Sequence, residues 1–455
     1  MGALLVAACL ALAALSLLAP SAPTYDPFSW VIWGREVLHL DLVTTSGPSW
    51  KPLPVVFTTV FALFGGAAPA LWLVVARAGA LAAIGLAFLT GRRLGAGPWG
   101  AAVAALALGA AEVWTVNAWL GNSEGLLVAL LLGAILAQMH GRPRAAFALG
   151  LGAALLRPEA WPFFGLYGLW LLRREPALRR LVLTGLAALP VLWLAPEWWG
   201  SGDLWRASTR ARSDLPPGSP GTARHPGHAL LREFLLLVPT AVWIALAVTA
   251  LAALVAVLRR SRRGGGLVVL AAIAAGWVGL VALMAGGGYS GNERYLIAPF
   301  ALTLVLGGVG LGTVIERLPR LVRPLAAAAA ALVVVLPGVQ ATRLAWPETM
   351  AQSRLPGDLA NAVSRAGGAA HLRACRAGKP VYTEALLTPQ VAWRLGLHLS
   401  QVTFRPQRGS ALVVRGMVTP GHPFDPPMEV FRGLSQRTLA TAPRWRIIVT
   451  GACAR

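Results

Sequence analysis

Asn292-Glu293-Arg294-Tyr295 leads directly into an uncharged apolar run. The run starts Leu296-Ile297-Ala298-Pro299-Phe300, continues to Val314-Ile315, and stops at Glu316-Arg317-Leu318-Pro319-Arg320. A charge-free segment of this length suits the roughly 20 residues that cross a bilayer as a helix. Ionisable groups mark one end of it and arginines the other. Outward from this stretch the same pattern recurs along all 455 residues, of which 56% are hydrophobic and 13% charged. Soluble domains have about 45–50% apolar and about 25% charged residues, so the composition indicates a polytopic membrane protein. The net charge of +22 does not indicate nucleic acid, because the basic residues form short clusters between apolar runs and no continuous basic face. Lys51 and Lys379 are the only lysines. With the Ala and Gly excess, this arginine bias suggests a GC-rich bacterial genome.

The segments expected in the bilayer are 2–20, 70–91, 98–116, 124–139, 145–156, 160–172, 181–196, 233–258, 267–285, 295–315 and 325–342. The first is read as a retained helix in which Cys9 is an ordinary small residue. Arg92/Arg93, Arg142/Arg144, Arg173/Arg174/Arg179/Arg180, Arg259/Arg260/Arg262/Arg263 and Arg317/Arg320/Arg323 fall on one side if the chain alternates. Positively charged loops stay cytoplasmic, which predicts a cytoplasmic N-terminus and an extracytoplasmic C-terminus in a bacterial plasma membrane. The runs at 145–172 are short and meet at Leu155-Leu156-Arg157-Pro158-Glu159, as a pair bending at the outer face or as a broken helix. Most acids before residue 342 then lie at the outer ends: only Glu175 and Glu316 are inside, and Glu112 is within a helix.

Two outer segments exceed plain turns. In 21–52, Trp30 and Trp33 beside Ser29, Glu36 and His39 predict a helix lying in the membrane interface, and 53–64 predicts a second one. Segment 197–232, rich in Gly, Pro, Ser and Arg, reads as a mobile loop. Residues 1–342 thus form the transmembrane domain. Residues 343–455, with strands expected at Lys379–Thr383 and Arg446–Thr450 and a helix near Thr388–His398, form a small exported α/β domain. Cys375 and Cys453 are expected to pair there, in an oxidising compartment.

Tyr25-Asp26-Pro27, Trp50-Lys51-Pro52-Leu53-Pro54, Gly121-Asn122-Ser123-Glu124, Leu156-Arg157-Pro158-Glu159 and Asn292-Glu293-Arg294-Tyr295 occur in that order along the chain. Their order resembles the GT-C class of membrane glycosyltransferases, such as protein O-mannosyltransferases and lipid A aminoarabinose transferases. The resemblance implies an all-α polytopic fold of about eleven transmembrane helices, interfacial helices in the first outer loop and an exported tail. It also implies transfer of a sugar from a polyprenyl-phosphate donor at the outer face, to a glycan, lipid or protein acceptor. Mapped onto this chain, the first-loop acid is Asp26, the acid opening the fourth helix is Glu124, and the base of the Lys-Pro element is Lys51. Trp50 stands where the aminoarabinose transferases have an acid.

Each residue has a structural alternative. Asp26 before Pro27 reads equally as the N-cap of a 27–40 helix and as the general base that deprotonates an acceptor hydroxyl. Glu124 either answers the helix dipole, with Asn122 and Ser123 as competing caps, or assists Asp26. Lys51 either snorkels to headgroups or, with Arg157 and Arg294, holds the leaving lipid phosphate. Arg294 could instead pair locally with Glu293. Tyr25, Glu159 and Tyr295 are candidates for contact with the sugar or acceptor.

No metal or other cofactor is expected. The acids form no Asp-x-Asp element, and His225-Pro226-Gly227-His228 has no third ligand. Gly307-Gly308-Val309-Gly310-Leu311-Gly312 lacks dinucleotide spacing and context, while Gly308 and Gly312 suit close helix packing. Besides the transferase, a transporter or lipid flippase, or a silent membrane scaffold, remains open. A transporter would place ionisable groups at midplane, where only Glu112 qualifies.

Overall fold

The computed structural model describes residues 2–213, 215, 218–259, 261–376, 378–405, 412–416 and 435–450. The chain starts with α1 (Gly2–Leu15), α2 (Tyr25–Leu38), α3 (Pro52–Ala62), α4 (Ala68–Arg93), α5 (Gly97–Ala110) and α6 (Glu112–Trp119). It continues with α7 (Glu124–Met139), α8 (Pro143–Ala154), α9 (Trp161–Arg174), α10 (Arg179–Ser201), α11 (Arg206–Arg212) and α12 (Pro226–Leu237). Then come α13 (Thr240–Leu258), α14 (Arg262–Gly286), α15 (Ile297–Ile315), α16 (Arg323–Arg365), α17 (Gly368–Cys375) and α18 (Thr388–Leu395).

Among the described residues, six helices are long and apolar enough to cross a membrane: α4, α10, α13, α14, α15 and α16. The pair α5–α6, bent by 56°, makes a seventh. By length this falls short of the eleven expected, because α1, α7, α8 and α9 have only 14, 16, 12 and 14 residues. At 1.5 Å per residue they extend about 21, 24, 18 and 21 Å, against a hydrocarbon core of about 30 Å.

Small residues set the packing. Gly308 and Gly312 on α15 let its backbone press on Gly100, Ala104 and Ala96 at α5, as their spacing suggested, and Gly79 and Gly125 do the same between α4 and α7. Close approach of this kind holds helices together where lipid offers no hydrophobic driving force. The arginine-bearing turns gather at one end: Arg263 bonds the carbonyls of Leu94 (2.8 Å) and Gly95 (3.1 Å), and Arg323 bonds that of Glu316. Alternation of the chain brings the Asp26, Glu124, Arg157 and Arg294 turns to the other end.

Several sequence expectations change. Trp30 and Trp33 do not lie in an interface; both are fully buried, with α2 packed against α3, α4 and α18. Segment 197–232 is largely helical, through the end of α10, α11 and α12. The expected span 233–258 is broken at Val238-Pro239, where proline cannot donate to the helix, and divides into α12 and α13. The span expected to end at 342 instead continues as α16 to Arg365, through Pro337, Pro347 and Pro356.

The C-terminal sheet contains β1 (Val381–Tyr382), β2 (Val402–Thr403), β3 (Leu412–Gly416), β4 (Gln436–Ala442) and β5 (Trp445–Thr450), in the order β2-β1-β3-β5-β4. β1 is parallel to β2 and β3, and β5 is antiparallel to β3 and β4. The expected strands and helix are present as β1, β5 and α18. Arg444 pairs with Asp358 at 2.7 Å and the Trp445 indole donates to the Leu355 carbonyl, tying the sheet to α16. Cys453, the expected partner of Cys375, lies outside the described residues.

The glycine contacts predict that Gly308→Leu, which drives a side chain into α5, lowers stability by about 1–3 kcal/mol. Gly279→Leu, at an α14 position with open space around it, should leave stability nearly unchanged. Unfolding of both variants in the same detergent checks the difference.

Candidate active site

Two X-Pro steps shape the site. Proline disfavours the helical conformation in the residue before it, and both Lys51 (φ −137°, ψ 112°) and Arg157 (φ −144°, ψ 128°) are extended at the start of a helical turn. Their side chains consequently point across the bundle. Arg157 reaches the first turn of α7 and forms a buried ion pair with Glu124, while its second terminal nitrogen is 3.7 Å from Glu159. Its guanidinium also stacks 4.6 Å from the Tyr295 ring. Lys51 Nζ lies 3.4 Å from Ser123 Oγ and 4.9 Å from the Trp30 ring. Arg294 follows Asn292, whose side chain caps a short 3-10 turn. It donates to Asp26 Oδ2 at 3.1 Å and to Asn122 Oδ1 at 2.9 Å.

These groups surround a cavity of about 430 Å³ whose wall includes Tyr25, Asp26, Lys51, Arg157, Glu159, Arg294 and Tyr295. Glu124 is 1% exposed and lies behind Arg157, off the wall. Arg157 Nε, Glu124 Oε2 and Glu159 Oε2 have no hydrogen-bond partner among the described residues. The wall can thus offer cationic donors to an anion, a carboxylate to a proton, and aromatic rings to an apolar or sugar face.

No family model and no curated protein matches the chain. Solved structures do. ArnT from Cupriavidus metallidurans in the apo state aligns with 98% of this chain and 97% of its own, at 16% identity and a TM-score of 0.58. The same protein bound to undecaprenyl phosphate aligns over the same shares at 15% identity and a TM-score of 0.60. The Archaeoglobus fulgidus oligosaccharyltransferase tethered with an acceptor peptide aligns with 90% of this chain and 69% of its own, at 12% identity and a TM-score of 0.48. The chain has the GT-C fold.

Within that fold, several structural alternatives fall away. Asp26 is not the helix cap: Thr24 holds that position, α2 starts at Tyr25, and the Asp26 carboxylate goes to Arg294. Lys51 does not snorkel, being 8% exposed. Arg294 pairs with Asp26, 268 positions away, and not with its neighbour Glu293. Asn122 and Ser123 serve Arg294 and Lys51, and neither side chain caps α7. Glu124 faces Arg157, so its contact is with a cation of the wall and not with the cavity itself.

Sequence reasoning missed the contribution of segment 197–232. Glu197 Oε1 accepts from the Trp50 backbone N–H (3.2 Å) and from Arg206 (3.4 Å). Arg206 and Arg210 both bond the Gly47 carbonyl. Arg210 lines the cavity with Ser208 and Tyr289. Two arginines at i, i+4 repel on a helix, so Arg206 and Arg210 gave no helical signal, and the glycines and prolines around them pointed to a loop. Glu197 supplies a carboxylate at the Lys-Pro element, where Trp50 brings none of its own.

Burial, and then the nearby Arg157, lower the Lys51 ammonium to about 7 from an ordinary 10.5. Between those values the unfolded chain retains a proton that the folded chain sheds, so this residue makes stability rise with pH over that window, by at most about 1.4 kcal/mol per unit. Lys51→Met should remove this slope in unfolding measurements from pH 7 to 9.

Proposed function

We propose that this chain is a membrane glycosyltransferase that moves a sugar from a polyprenyl-phosphate donor to an acceptor hydroxyl at the outer face of a bacterial plasma membrane. The observation that carries this reading is the convergence of Lys51, Arg157 and Arg294 on one cavity wall beside the carboxylate of Asp26. The similarity to ArnT with undecaprenyl phosphate bound supports a lipid phosphate as the anion.

In this mechanism the acceptor oxygen attacks the anomeric carbon, the bond from that carbon to the phosphate oxygen breaks, and the electron pair leaves with the polyprenyl phosphate. Asp26 takes the acceptor proton as general base. Lys51, Arg157 and Arg294 stabilise the charge that develops on the leaving phosphate, with Lys51 regaining its proton as the anion arrives. Glu124 holds Arg157 in place. Tyr25, Glu159 and Tyr295 line the space for the sugar and acceptor. The displacement inverts the anomeric carbon and requires no metal. Lying opposite the arginine-bearing turns, the cavity faces outward by the positive-inside rule, with the N-terminus cytoplasmic.

Undecaprenyl phosphate binding to the purified protein in nanodiscs tests the reading. Lys51→Ala and Arg294→Ala should each weaken it by roughly tenfold or more, whereas Asp26→Asn should bind it and stay folded, because an amide oxygen still accepts from Arg294. Asp26→Asn should lower transfer by roughly 10²–10⁴-fold. Undiminished transfer by a folded Asp26→Asn protein would remove the base from the scheme, and lipid binding indifferent to both cation variants would remove the donor.

A further inference from the structure

Away from the cavity, His398, just after α18, reaches back to the end of α2. Its Nδ1 lies 2.8 Å from Glu36 Oε1 and its Nε2 lies 3.2 Å from Asp41 Oδ2. A neutral imidazole has one donor and one acceptor, while ionised carboxylates only accept. With both carboxylates ionised, the ring therefore satisfies both contacts only when both nitrogens carry protons.

The surroundings maintain this arrangement. The Glu36 side chain is 2% exposed and its Oε2 accepts from the Val43 N–H at 3.1 Å. Burial pushes its carboxyl up, and the Val43 N–H and His398 draw it back down. Arg35 is 4.0 Å from Glu36, donates to the Leu397 carbonyl at 2.8 Å and lies over Trp393. Gln401 Oε1 accepts from the His398 backbone N–H, and the His39 ring bonds the Arg35 carbonyl. At its other end α2 also meets the C-terminal domain, where Tyr25 interacts with Thr388 at the start of α18 as well as with Arg210.

We infer that His398 is a positioning residue: as an imidazolium it clamps the C-terminal domain to α2 and thereby holds Tyr25 and Asp26 at the cavity, and loss of its second ring proton loosens the clamp. The effect on catalysis rests on the transferase reading; the clamp does not. Histidine is the side chain that changes charge near neutral pH. When it does, the buried Glu36 or the exposed Asp41 loses its donor.

Hydrogen exchange on the full chain in nanodiscs, corrected for the chemical effect of pH, tests the clamp in peptides covering 25–43 and 388–403. Wild-type protection should be lower at about pH 8.5 than at about pH 6. His398→Arg, charged at both values, should keep protection at the higher pH. Asp41→Asn, at an exposed position off the cavity wall, should fold normally, raise exchange at the lower pH about two- to fivefold and reduce the pH difference. Equal wild-type protection at both pH values, or an undiminished pH difference in Asp41→Asn, overturns the clamp. Undecaprenyl phosphate binding on the same samples separates the two claims: a pH difference that persists in a protein that binds no lipid supports the clamp and counts against the transferase reading.

Discussion

The buried pair of Arg157 and Glu124 constrains the rest of the site. Two charges removed from water are tolerated only when paired in good geometry, and removing one partner typically costs about 3–5 kcal/mol. Arg157 therefore has to sit where the first turn of α7 presents Glu124, and Pro158 fixes the extended backbone that makes the reach possible. Lys51, brought to the neighbouring position by its own X-Pro step, and Tyr295, stacked on the guanidinium, complete one wall of the cavity from three distant parts of the sequence.

Much of this was legible because membrane chemistry writes itself into sequence in long blocks. Apolar runs, arginine clusters between them and acids at the opposite ends indicated the helical class and the end at which Asp26, Glu124, Arg157 and Arg294 gather. Gly308 and Gly312 could be read as packing positions because two glycines four residues apart on an apolar helix let a neighbouring backbone approach closely. The motifs Lys51-Pro52, Arg157-Pro158 and Asn292–Tyr295 supplied residues that the fold brings to one cavity wall, since proline and asparagine impose local backbone geometry that carries over into three dimensions. In the C-terminal part, alternation and β-branched runs located β1 and β5.

What remained hidden was pairing at long range. Asp26 followed by proline looks like a cap because the local rule is strong, and its true partner Arg294 is 268 positions away. Trp30 and Trp33 look interfacial because tryptophan often is, and only the tertiary fold reveals Trp72 of α4 against the first ring and Trp50 against the second. In segment 197–232 glycine and proline concealed a short helix whose arginines grip the first outer segment, with Glu197 anchoring Trp50 from a helix that sequence alone treats as simply crossing the membrane. In each case a local preference was correctly identified but outweighed by a partner elsewhere in the chain.

The charge on the cavity wall links the fold to its chemistry. Among the described residues it bears Lys51, Arg157, Arg210 and Arg294 against Asp26 and Glu159, and both acids already lie beside arginines. In a site shielded from water an excess of cations is unfavourable until an anion enters. Burial and Arg157 lower the Lys51 ammonium to about 7, which relieves part of that excess, and under the proposed function an arriving phosphate would reverse the release. On that proposal the amine is least charged when the cavity is empty and most charged when a leaving group needs a donor. Arginine at that position would stay charged in both states, and the empty site would carry the full repulsion. Lysine is the residue whose charge can follow the occupancy of the cavity, which gives a physical reason for one of only two lysines in the chain to stand at residue 51.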